Sequence, residues 1–314
     1  MKKSLIALAV AGAMTVPAIA SADATLYGWM TMAVDKAKDE KLDINTDGNS
    51  PSRIGLKGTA DTGIDGLTAL YQYEFRVNQA EGETALATRL ANVGLTGNWG
   101  TVLAGTQWAP HYSWVTATTD VMLSSVVGPT HSTDTVYRVS NSMAYVSPEF
   151  SGLQLAAAVG ADADNDDENG DWYHVAAKYS NGGFYGALSY IDFNSEVGYA
   201  PLEDVTALAL SYSFGAFTVA GVYSDLETSA GDYKPWDLSA TYALTDATTL
   251  KAAYADFDDN GKGYGVEVQH DLSNMVNTFV GYGHANTDLR DTYEASAGTA
   301  GANSVFSTGI RVKF

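Results

Sequence analysis

From residue 23 to the end of the chain, side chains alternate between apolar and polar with a period of two, in segments that recur every 10 to 20 residues. No long segment holds a helical period. Such alternation marks strands with one greasy and one wet face, and it fixes which residues share a face. The clearest case is Ser304-Val-Phe-Ser-Thr-Gly-Ile-Arg-Val-Lys-Phe314. Phe306, Thr308, Ile310, Val312 and Phe314 form one face, and Ser307, Gly309, Arg311 and Lys313 the other. A flat strand with an open edge invites aggregation. The last strand is therefore expected to pair with the first of the same chain and close a barrel.

Sixteen strands are read in this way: 24–34, 52–59, 67–78, 88–97, 101–106, 136–147, 153–161, 172–179, 184–193, 205–214, 217–226, 235–244, 248–257, 263–270, 275–286 and 304–314. Short connections rich in Gly, Pro, Asp and Asn (61–66, 98–100, 148–152, 181–183, 215–216, 245–247, 271–274) separate them on one side. Long, mostly acidic ones (35–51, 79–87, 107–135, 162–171, 194–204, 227–234, 258–262, 287–303) separate them on the other. This rhythm predicts an all-β fold: a transmembrane, antiparallel, up-and-down β-barrel of 16 strands. A soluble β-sandwich would also alternate, but it gives no reason for the short/long rhythm. Tyr27, Tyr145, Tyr179, Tyr212, Tyr223, Tyr264 and Tyr282 lie near strand ends, where an interfacial girdle of aromatic residues is expected.

The first 22 residues read as a secretory signal peptide, with Lys2 and Lys3, an apolar run from Leu5 to Ala13, and small residues at Ala20-Ser21-Ala22. The apolar run is shorter than the roughly 20 residues a membrane helix needs. Residues 23–314 then form one barrel domain. The chain has no cysteine, so no disulfide framework holds it together. Its formal charge of −20 argues against nucleic acid as a partner. With 19 tyrosines and only 17% charged residues, it does not resemble an acidic disordered chain.

Arg53, Arg76 and Arg89 share the inward parity of neighbouring strands, with Lys57 on the parity of Arg53 and Glu74 on that of Arg76. Arginine keeps its charge beside other cations. Such a wall opposite an acidic loop would set up a transverse field. The stretch 107–135 is the one long connection of mixed composition, with Trp108, Tyr112, Trp114, Val121, Met122, Leu123, Val126 and Val127. That much apolar surface suits a loop folded inward against the wall; a lid over the mouth or a subunit contact is the other use for it.

Asp256-Phe-Asp258-Asp-Asn260-Gly261, followed by Glu267, matches a calcium-loop pattern. Both flanks alternate as strands where that loop needs helices, so no metal is assigned. No cofactor is expected, and His111, His131, His174, His270 and His284 are scattered at no metal spacing. An outer-membrane lipase or protease barrel has no catalytic constellation to support it. A substrate-specific channel would rest on Trp108, Tyr112 and Trp114 as an aromatic track.

Several motifs, in order, resemble the trimeric general porins of Gram-negative outer membranes. Ser52-Arg53-Ile54-Gly55-Leu56-Lys57-Gly58 is similar to that family's second strand, and Thr88-Arg89-Leu90-Ala91-Asn92-Val93-Gly94-Leu95-Thr96-Gly97 to its fourth. Val146-Ser-Pro-Glu-Phe-Ser-Gly-Leu153 resembles a family turn, and Arg311-Val-Lys-Phe314 the C-terminal signature. The resemblance implies a homotrimer in the outer membrane, with the third loop folded into the lumen as a constriction. Small solutes and ions would diffuse passively through the water-filled channel. The implied partners are outer-membrane lipid, lipopolysaccharide and the barrel-assembly machinery, with Phe314 as the assembly signal. The implied basic wall is Arg53, Arg89 and Arg138, and the implied loop acid is Asp120. The chain departs from the family at Ser124-Ser125, where some members carry a second acid. It departs again at Tyr27-Gly28-Trp29, where some place a lysine.

Overall fold

A computed structural model describes residues 23–78, 85–124, 136–160, 172–193, 202–229, 231–286 and 303–314. The expected signal peptide, the acidic stretch 162–171 and residues 125–135 of the third long connection lie outside the described residues. The chain runs through β1 (Ala24–Ala37), β2 (Leu42–Asn45), β3 (Arg53–Asp61), β4 (Leu67–Val77) and β5 (Leu86–Gly97). Next come β6 (Gly100–Trp108), β7 (Arg138–Val146), β8 (Leu153–Gly160), β9 (Trp172–Asn181) and β10 (Phe184–Phe193). β11 (Leu202–Phe214), β12 (Phe217–Thr228), β13 (Trp236–Ala243) and β14 (Thr248–Asp256) follow. β15 (Lys262–Ser273), β16 (Val276–Ala285) and β17 (Ser304–Lys313) complete the order.

Strands pair antiparallel with their neighbours, and β1 pairs with β17 from Trp29↔Lys313 to Ala37↔Val305, which closes the barrel. Phe314 completes the seam: its N–H donates to the Gly28 carbonyl, and the Gly28 N–H donates to its own, both at 3.1 Å. β2 and β3 together fill one place in the wall. β2 pairs with residues 33–36 of β1, and β3 with residues 24–29. Seventeen strands thus make sixteen wall positions, the second of them broken. By sequence 35–51 is a loop; the structure corrects this at Leu42–Asn45, a four-residue alternation too short to stand out among Asp, Asn and Gly.

At the break, residues 30–32 of β1 face residues 46–52, three against seven, so four residues are extra. The surplus folds inward and its ends are tied. Ser52 Oγ accepts from the Thr31 N–H at 2.9 Å and donates to the Thr46 carbonyl at 2.6 Å. Gly48 sits in the left-handed region at φ 55, and a Cβ there would stand 2.7 Å from the Leu123 carbonyl oxygen. Only glycine fits such a position without strain.

Register assigns the faces. Trp29, Thr31, Ala33 and Asp35 lie across from Lys313, Arg311, Gly309 and Ser307 on the inner face. Met30, Met32 and Val34 lie across from Val312, Ile310 and Thr308 on the outer one. Leu56, Val93, Leu188, Leu208 and Leu238 extend this exposed apolar surface, as a lipid-facing band requires. Tyr145, Tyr179, Tyr212, Tyr223, Tyr264 and Tyr282 are exposed with it. Tyr27 is a correction to the girdle: it shares the parity of Trp29 and turns inward. Its hydroxyl donates to Glu74 Oε2 at 3.1 Å and accepts from Gln72 Nε2 at 2.6 Å. A tyrosine is amphipathic, so only register could decide its side.

Candidate functional site

The inner wall has two chemically different parts. Over β8 to β11 one run of inward positions is small: Ala156, Ala176, Ala187, Ala207 and Ala209 are all buried. Trp114 and Val115, from the connection after β6, pack against these alanines with Val146 and Val222. Small side chains leave room for a second layer of backbone, and large apolar ones on the incoming segment fill it to interior density. The Trp114 carbonyl accepts from Tyr185 Oη at 2.6 Å. Ser189 Oγ lies 2.7 Å from His111 Nδ1 and 3.3 Å from His174 Nε2, with all three side chains buried. Further along, Glu267 Oε2 on β15 accepts from the Leu123 N–H (2.8 Å), the Ser124 N–H (2.7 Å) and Ser124 Oγ (2.6 Å). Lys251 Nζ holds the other oxygen of Glu267 at 2.7 Å. The segment after β6 is therefore seated on one part of the inner wall and tied to β15.

The second part, on β1, β3 to β5 and β17, is charged. Arg53 and Arg89 converge on Glu74: Arg53 Nη1 lies 3.3 Å and Arg89 Nε 2.7 Å from Glu74 Oε1, with all three buried. Arg89 is aimed by a bulge. Glu74 pairs with Leu90 and Phe75 with Thr88, so Arg89 is the extra residue and turns inward beside Leu90. Bulges re-aim side chains in this way at the rims of sites. The Trp29 ring lies 3.8 Å from the Arg53 guanidinium carbon and 5.1 Å from that of Arg311. Arg311 Nε also donates to Thr31 Oγ1 at 2.9 Å. The indole thus stands between two cations. Aromatic faces attract guanidinium groups.

Asp120 stands at the other end of the polar layer. Its Oδ2 accepts from Tyr112 Oη and its Oδ1 from Asn49 Nδ2, both at 2.8 Å. Burial first, and then the neighbouring carboxylate of Asp120, push the Tyr112 hydroxyl well above its ordinary value, so it stays a donor. Tyr112 stacks on Trp108 at 4.9 Å, and Trp108 faces Arg138 at 5.2 Å and Arg89 at 5.6 Å.

Of the residues singled out in the sequence, Arg53, Glu74 and Arg89 are in direct contact. Arg138 joins them through Trp108. Lys57 lies apart, its Nζ 5.2 Å from the Tyr27 ring. Arg76 is paired with Asp47 of the infolded break, and both are part-exposed. Phe314 belongs to the seam. Of the three aromatic residues of the supposed track, Trp108 and Tyr112 stack on each other, while Trp114 is buried against the alanine wall with Lys178 Nζ 4.7 Å from its ring. Asp256 accepts from Lys262 Nζ at 2.7 Å, while Glu267 turns to Lys251 and Ser124, so the first and last acids of the calcium-like pattern face different partners. Sequence reasoning missed Glu267, Arg311 and Asn49 as site residues. The inward parity of the first two was visible, but their partners come from far along the chain.

The fold and this arrangement match known proteins. A family profile for Gram-negative porins covers residues 7–290. The major outer membrane protein P.IB of Neisseria lactamica is 35% identical over 207 residues, which is 59% of this chain and 57% of that protein. The chain thus spans a little over half the length of that relative. Outer membrane porin protein 32 of Delftia acidovorans is 29% identical over 285 residues, 82% of this chain and 80% of its own. The solved structure of an anion-selective porin from Comamonas acidovorans superimposes with a TM-score of 0.68 at 22% identity, over 94% of this chain and all of that one. At that identity the likeness concerns the fold.

Proposed function

Because the chain belongs to the Gram-negative porin family, we propose that it forms a water-filled channel in the outer membrane for passive diffusion of small hydrophilic solutes and ions. The observation that carries this reading is a closed barrel with an apolar outside, whose inside sets an arginine wall near a segment bearing Asp120. Residues 107–124 act as the constriction, and Arg53, Arg89, Arg138, Glu74 and Asp120 line it. Arg311 belongs with them, while Arg76 and Lys57 lie at its margin. Residues 1–22 direct export and are removed. Phe314 marks the closing strand for the barrel-assembly machinery. Three copies assemble in lipid and lipopolysaccharide.

Two unit charges about 10 Å apart in water interact by roughly 0.4 kcal/mol. A term of that size biases passage about twofold and does not hold a solute, so the channel sieves and does not bind. The separation of Trp114 from Trp108 and Tyr112 speaks against a continuous aromatic track and a substrate-specific channel. Ser189, which lies between His111 and His174, is buried and serves as an anchor, so this serine–histidine cluster offers no open nucleophile for hydrolysis.

The test is single-channel recording in a planar bilayer. Conductance steps in threes, with flux linear in concentration and falling with solute size, are expected. Saturating flux for one solute would replace this reading with a specific channel. Absence of current from folded protein would end it.

A further inference from the structure

The infolded break between β2 and β3 reaches both charged elements. On one side, Ser50 Oγ accepts from Arg53 Nη2 at 2.5 Å, the Pro51 carbonyl from Arg53 Nε at 3.2 Å, and the Ser50 carbonyl from Arg311 Nη2 at 3.4 Å. These are the two arginines that flank Trp29. On the other side, Asn49 meets the Asp120 segment three times. Its N–H donates to the Leu123 carbonyl at 3.0 Å. Its side-chain amide donates to the Met122 carbonyl at 3.1 Å and to Asp120 Oδ1 at 2.8 Å. Between these ends, Asn45 Oδ1 caps the turn by accepting from the Asp47 and Gly48 N–H groups, at 3.2 and 3.1 Å. Asp47 bonds Arg76. A frayed strand end would leave such groups to water. Here they are spent on the wall and on the loop.

We propose that residues 46–52 are a second constriction element, in which Asn49 is the positioning residue for Asp120 and Asp47 is the charge partner of Arg76. The inference rests on the channel reading above and deepens it. An amide that donates to one carboxylate oxygen while Tyr112 holds the other leaves Asp120 little freedom to rotate. The acid therefore acts from a fixed point instead of being averaged over the lumen. Asp47 works differently: it offsets the charge of Arg76 and leaves Asp120 alone. The pore field is thereby adjusted by a segment that carries no basic residue and a single acid.

The experiment is a cycle of reversal potentials in a salt gradient. Asn49→Ala is expected to move the permeability ratio toward anions by up to about twofold, the size of one unit charge about 10 Å away in water. In an Asp120→Asn background the same substitution should add nothing, at unchanged conductance. Asp47→Asn should shift the ratio the same way in both backgrounds, since it acts through Arg76. An equal Asn49→Ala shift in both backgrounds, or none in either, overturns the positioning role. Loss of β-content in a variant is excluded by its heat-modifiable mobility.

A second measurement separates this inference from the channel itself. The chain has no cysteine, so Asn49→Cys with Leu123→Cys can be oxidised in the folded, detergent-solubilised protein. Rapid disulfide formation is expected whatever the protein conducts. If the link forms and no current is found, the channel reading fails. If it does not form while current flows normally, the infold fails alone.

Discussion

The alanine side of the inner wall and its arginine side are built on different strands by the same alternation, and they are used in opposite ways. On the alanine side, Ala156, Ala176, Ala187, Ala207 and Ala209 give up volume so that Trp114 and Val115 can pack as in a protein interior. On the arginine side, Arg53, Arg89 and Arg311 keep long charged groups that cannot be packed away. They are steadied instead by Glu74, Thr31 and the Trp29 ring. The first region is held by shape, and a methyl group matters there. The second is held by charge, and a proton or a salt ion matters. In the proposed channel, the first holds an inner segment still and the second gives the remaining space a sign.

Glu74→Gln should have the largest effect and break the charged side alone. It leaves Arg53 and Arg89 buried without their anion, a loss of about 3–5 kcal/mol for a buried pair. The temperature at which the folded band on a gel converts to the unfolded one should fall clearly, and selectivity should move toward anions. An unchanged transition would mean that water in the lumen already solvates the two guanidinium groups.

Val115→Ala tests the other side. Removing two buried methyl groups costs about 2 kcal/mol with the cavity included. Open-channel current noise should rise while the reversal potential stays put. A changed reversal potential at constant noise would show that the two sides are not separable in this way.

Much of this division could be read in advance. The strands, the closing pair and the inward direction of Arg53 and Glu74 follow from period-two alternation. The inward aim of Arg89 owes as much to the bulge opposite Glu74 and Phe75, since strict alternation with Val93 and Leu95 would turn it outward. The apolar content of 107–135 marked it as a segment needing a surface, but not which surface, because five alanines look unremarkable until strands bring them together. Glu267 was passed over because its partners Leu123 and Ser124 lie 144 and 143 residues away. The broken second wall strand was invisible, since nothing local distinguishes a loop that infolds from one that projects.

Removing Phe314 should leave both sides intact in any barrel that forms and act on the seam between β1 and β17. Two backbone hydrogen bonds to Gly28 are lost, at about 0.5–1.5 kcal/mol each. Membrane levels should fall more than the stability of the folded fraction. Normal membrane levels of the shortened chain would remove the assembly role.

The smallest effect expected is the salt dependence of selectivity. At physiological ionic strength the screening length is about 8 Å, so charges at the constriction outweigh the acidic outer connections. Lowering the salt should let those acids act and shift weak selectivity toward cations. A strong cation preference that stays constant from low to molar salt would contradict the arginine side's part in it.

The break in the second wall strand has a consequence for how this pore can change over generations. Its surplus is four residues, an even number, and both flanks remain paired with β1. Asp43 on one flank and Arg53 on the other therefore both still face the lumen, across from Asp35 and Trp29. A deletion or duplication of two residues inside the break would redraw the lining and leave every outward leucine against lipid. A slip of one residue in either paired flank would turn that flank over, carrying charge into the bilayer and grease into the water. Selection can thus tune the opening through the break without renegotiating the barrel's shear.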